Sequence, residues 1–85
     1  MDVVIGDLLT IEGKKYITLE VLDYEGSNYV FTNLMTDDEE TTEDFYIFRV
    51  INNEVEMVLE EKLKNILISK FQELLENDLK KIIDE

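Results

Sequence analysis

The chain contains no cysteine, no histidine, no proline and no tryptophan. Without cysteine, no disulfide staples the fold and no thiolate can attack a substrate. Without histidine, most zinc sites are excluded, as are imidazole acid–base catalysis and Ser–His or Cys–His nucleophile pairs. Ser27 and Ser69 therefore have no imidazole to activate them. Positive charge is scarce: 8 lysines and arginines stand against 21 acids, for a net charge of -13. No apolar run approaches the roughly 18 residues of a membrane-spanning helix. The opening "MDVVIGDLL" has an acid where a signal peptide carries a base. These absences predict a soluble, cytoplasmic protein that needs no cofactor.

The 85 residues suffice for one small domain, and a hydrophobic share of 45% is enough for a packed core. Period-two alternation marks the strands. "LLTI" at 8–11 and "KKYITLEVLDY" at 14–24 flank a turn containing Gly13. In the second segment Ile17, Leu19 and Val21 share one face, while Thr18 and Glu20 share the other. On that alternation Tyr16, Leu22 and Tyr24 point away from the core. Gly26, Ser27 and Asn28 signal a second hairpin before "YVFTNLM" at 29–35. "FYIFRVI" at 45–51 is aromatic and β-branched. If Arg49 faces solvent, Phe45, Ile47 and Ile51 share its side. Asn52-Asn53, both tolerant of the left-handed region, suit a tight turn into "EVEMVL" at 54–59.

From about residue 60 the period changes. Leu59, Leu63, Ile66, Leu67, Phe71, Leu74, Leu75, Leu79, Ile82 and Ile83 recur at three- and four-residue steps, the stripe of an amphipathic helix. Asn77-Asp78 is its weak point, where the helix bends or ends. The predicted architecture is α+β: a curled antiparallel meander of four to five strands over 8–59, with one long C-terminal helix over 60–83 packed on one face. A helix of that length, about 36 Å, overhangs strands of about 20 Å. Leu79, Ile82 and Ile83 then either contact another chain or fold back.

"LEVLDYEGSNYVFTNL", the acidic loop, "FYIFRVINNEVEMV" and "FQELLEN" together resemble the uncharacterised bacterial family called domain of unknown function 1292. The likeness runs from about residue 8 to 77 and implies the same sheet and terminal helix. It implies no catalytic residue. The acidic loop here is shorter than is usual in that family, and the tail after Asn77 is an extension.

The densest feature is "TDDEETTED" at 36–44: Asp37, Asp38, Glu39, Glu40, Glu43 and Asp44, with no base among them. Calcium-loop spacing needs a central glycine and a terminal bidentate glutamate, and both are missing. Two readings stay open. The knot is a solvated loop guarding a sheet edge, or it mimics a line of phosphates, extended by Glu54, Glu56, Glu60 and Glu61. The charge repels nucleic acid and anionic membranes directly and attracts basic surfaces. The function expected is non-catalytic: an acidic decoy on a basic, nucleic-acid-binding protein surface. By analogy of size and charge alone, phage anti-defence inhibitors of the anti-CRISPR type are of this kind. The alternative is an interaction module or homodimer using Tyr24, Phe31, Leu79, Ile82 and Ile83. The aromatic-rich second sheet face is then either an exposed interface or is buried by curling of the sheet.

Overall fold

The computed structural model describes residues 3–83, with side chains described over 3–77. Five strands pair in chain order as one antiparallel sheet: β1 (Leu8–Ile11), β2 (Lys14–Tyr24), β3 (Ser27–Met35), β4 (Thr41–Ile51) and β5 (Glu54–Met57). Helix α1 (Glu61–Ile83) follows, and the fold is α+β. The helix does not end at Asn77-Asp78. The side chains of Leu79, Ile82 and Ile83, and with them the predicted overhang contact, lie outside the described residues.

The first two hairpins use one device. Glu12-Gly13 and Glu25-Gly26 each join strands through two residues at positive φ, 50° and 79° in the first, 48° and 80° in the second. That pair of angles marks a type I′ turn, whose twist matches the strands it joins. Glycine takes such a φ freely, and glutamate does so at some cost. The last hairpin turns at Asn52-Asn53, where Asn52 alone of the two takes positive φ, 55°.

A bulge in β2 corrects the predicted faces. Thr18 pairs with Thr32 and Glu20 pairs with Phe31, so Leu19 has no partner of its own. One extra residue reverses which face the following side chains reach. Ile17, Leu19 and Val21 therefore do not share a face. Tyr16 and Val21, an odd number of residues apart, belong to one apolar cluster, while Leu22 and Tyr24 belong to the other. Thr18 and Glu20 are buried.

Both faces of the sheet are covered. On one, α1 lays Leu67 and Phe71 against Tyr29, Ile47 and Val58, with Leu22, Tyr24, Phe31, Leu63 and Leu74 around them. Leu67 and Phe71 are 0% and 1% exposed, and burying each is worth about 1.5–3 kcal/mol. Arg49 shares this helix-covered face with Ile47, because its guanidinium reaches the Tyr29 hydroxyl. It does not mark an outer face, as the sequence suggested. On the other face Leu9, Tyr16, Val30 and Phe48 form a second cluster. Leu9 from one edge strand and Val55 and Met57 from the other meet in it, which requires the sheet to curl on itself. Tyr16 meets Tyr46 and Phe48 edge-on, at centroid distances of 5.7 and 5.0 Å. Curling thus buries the second aromatic face.

Candidate functional site

The acidic knot is an ordered hairpin. Thr36 N–H donates to Glu40 C=O at 2.8 Å, and Thr36 C=O accepts from Glu39 N–H at 2.9 Å. The Thr36 hydroxyl accepts a further bond from Glu40 N–H at 3.2 Å. Glu39 takes φ 62°, the left-handed residue that closes a three-residue loop. Asp37, Asp38 and Glu39 form that loop. The sequence reading ran the loop on to residue 44, but β4 begins at Thr41, so Glu43 and Asp44 are strand residues.

Asn33 makes this possible. Asn33 pairs with Phe45 and Met35 with Thr41, so β4 holds two more residues than β3 over the same interval. Carbonyls on so irregular a stretch lose regular ladder partners. The Asn33 side-chain amide donates to the carbonyls of Thr42 and Asp44, at 2.8 and 2.9 Å. The Thr42 hydroxyl donates to Leu34 C=O at 2.8 Å and accepts from Asp44 N–H at 3.1 Å. Asn33 itself is 5% exposed. Nothing in period-two patterning singles it out.

All six carboxylates of the knot are exposed. Among the described residues Glu39 alone of the six has an ion-pair partner, Lys15 at 3.6 Å. Both side chains are substantially exposed, so that pair is screened and weak. Glu54 and Glu56 are exposed on β5, but they do not continue the track. Glu56 pairs with Arg49, five residues along β4 from Asp44, which is roughly 17 Å. The structure therefore holds two acidic groups, at opposite ends of β4.

Between them lies apolar surface. Phe45 is 52% exposed and stacks on Phe31 at 5.6 Å, with their planes 4° apart. Phe31 in turn stacks on Phe71 at 5.3 Å. Leu59, read from the sequence both in the 54–59 strand pattern and in the helical stripe, lies between β5 and α1 and is 73% exposed. Phe31, Phe45 and Leu59, with Ile47, Lys64 and Ile68, line a groove of about 220 Å³. Tyr24, predicted as a contact residue, is half-buried, with Lys70 Nζ 5.2 Å from its ring centroid.

Arg49 is the chain's one arginine. The hydrogen bond to Tyr29, with lesser support from Glu56 and Glu60, holds its pKa above the ordinary value. It stays cationic in a cleft of about 240 Å³ that Glu56 and Glu60 also line, so carboxylates already answer its charge. Among the described residues no three carboxylates converge on a point that could hold a metal ion. No described helix is long and apolar enough to cross a membrane. No family model, no curated protein and no solved structure matches the chain.

Proposed function

We propose that the protein is a non-catalytic binding protein whose acidic hairpin engages a basic surface of a partner protein, of the kind that otherwise holds nucleic-acid phosphates. The observation that carries this reading is the ordered hairpin with five of its six carboxylates unpaired among the described residues. Holding like charges together on a braced turn costs stability, and a cationic counterpart returns that cost on binding. The decoy acts in the cytoplasm, where basic nucleic-acid-binding proteins are its targets. Membership of the domain of unknown function 1292 family, read from the hairpin and strand motifs, belongs to the same proposal and adds no activity to it.

A pull-down eluted by a salt gradient tests the reading. One variant carries Asp37→Asn, Asp38→Asn, Glu39→Gln and Glu40→Gln. A control neutralises Glu73 and Glu76 on the helix. Partners that leave at moderate salt, that compete with single-stranded DNA and that are lost only with the hairpin variant support the decoy. Equal loss with both variants removes it.

A second reading, an apolar interaction module or homodimer, draws on the exposure of Phe45 and Leu59. Tyr24 and Phe31 give it little, because both pack against the core.

A further inference from the structure

The two edges of β4 are treated differently along its length. β3 runs beside it from Val50 to Thr41. On the opposite side β5 pairs only with Phe48–Ile51, and the Val58 N–H on Ile47 C=O, at 2.9 Å, is the last rung. The chain then leaves to begin α1. Among the described residues no strand covers that side of β4 from Thr41 to Tyr46.

Antiparallel ladders alternate: a residue bonding outward is followed two positions on by another. Ile47 bonds outward, to Val58. Phe45, two positions earlier, therefore turns its N–H and C=O outward, where no strand answers them. The Asn33 amide draws the carbonyls of Thr42 and Asp44 the other way. The edge is thus braced from within and open from without. Open edges recruit strands unless guarded. The groove of Phe31, Phe45, Leu59 and Ile68 lies beside this edge, and Glu43 and Asp44 are exposed on the same strand.

We infer that the open edge of β4 at Glu43–Phe45 is a strand-addition site for an extended, basic segment of the partner, with one large apolar side chain of that segment seated beside Phe45 and Leu59. This deepens the cation-binding reading of the hairpin and rests on it. Side chains along an added strand alternate at about 3.3 Å per residue. A segment alternating basic and apolar residues therefore sets its apolar members on the groove side with Phe45 and its cations on the other side, that of Asp44, next to Phe45 on β4. Charge selects the occupant. A second copy would bring another acidic edge and another net charge of -13 to the same place, and like charges facing each other across strands repel.

The test uses the full chain and a fluorescein-labelled peptide of alternating lysine and valine with one central phenylalanine. The comparison ligand is oligolysine of equal charge. Two further peptides are N-methylated, one on the residues whose N–H groups face β4 and one on the residues between them. The expected results are at least about tenfold tighter binding than oligolysine, loss of that preference with the first methylated peptide only, and a drop of about tenfold with Leu59→Asp. Leu59 is mostly exposed, so this substitution leaves the fold intact. Hydrogen exchange at the Phe45 amide should slow when the peptide binds. Equal salt-sensitive binding of peptide and oligolysine overturns strand addition and leaves the acidic-surface reading standing. Binding of neither ligand at low salt overturns both. A concentration-dependent dimer in sedimentation that Leu59→Asp abolishes assigns the edge to a second copy and overturns the partner.

Discussion

Asn33→Asp is nearly isosteric and inverts the chemistry of the brace under the acidic strand. The native amide sends two hydrogen bonds to the carbonyls of Thr42 and Asp44 from a site that is 5% exposed. An ionised carboxylate has no donor to offer and turns oxygen toward oxygen. Two lost bonds cost about 1 kcal/mol each, and the stranded carbonyls with a poorly hydrated charge add about 1–3 kcal/mol. The expected loss is thus about 3–5 kcal/mol, against a total of about 4–13 kcal/mol for a chain of this length. Asn33→Ala, which removes the donors without adding charge, should cost about 1–3 kcal/mol.

The pH dependence gives the sharper signature. Burial and facing carbonyls raise the new carboxyl's folded pKa above its unfolded value of about 3.9. The protonated form is thereby favoured in the folded state. The deficit relative to wild type is full above the folded pKa and shrinks as pH falls through it, because the neutral acid regains one O–H donor. Urea unfolding of both proteins by circular dichroism, at neutral pH and near pH 4, measures that difference. An Asn33→Asp protein within about 0.5 kcal/mol of wild type at neutral pH, or a deficit that widens on acidification, refutes the brace.

Phe71→Ala should cost about 3–5 kcal/mol by opening a cavity beneath the Phe31 stack, seen as a lower Tm and a loss of near-ultraviolet signal. Leu59→Ala, at a mostly exposed position, should stay within about 0.5 kcal/mol of wild type. Among the described residues the buried Thr18 hydroxyl has no hydrogen-bond partner, so Thr18→Val should stabilise by about 1 kcal/mol in the same urea assay. A loss there means the hydroxyl is satisfied. Glu12→Asn and Glu25→Asn place a residue at ease in the left-handed region into each type I′ turn, and each should raise Tm by a few degrees. A lower Tm in both shows that the glutamate side chains stabilise those turns.

Much of this molecule is local in origin. The two Glu-Gly turns, the Asn-Asn turn, the aromatic strand at 45–51 and the change to helical spacing near residue 60 are legible because turn angles and periodicity depend on neighbours in the chain. The candidate surface was only half legible. Its carboxylates are conspicuous by composition. Asn33, Phe45 and Leu59 are not, since an amide reaching across strands and a hydrophobe left uncovered look like any others in one dimension.

Composition and spacing alone settled that four to five strands precede one helix and that the chain carries strong negative charge. Tertiary structure alone decided which side of the sheet each residue serves. The unpaired Leu19 reverses the parity of β2, and a bulge is defined by the partner strand, which alternation within one strand does not reveal. It decided too that curling brings β1 and β5 side chains into one cluster, and that a β5 of four residues stops short along β4. Strand pairing is a contact between distant residues, so where it ends, and what edge it leaves open, is settled only when the sheet assembles.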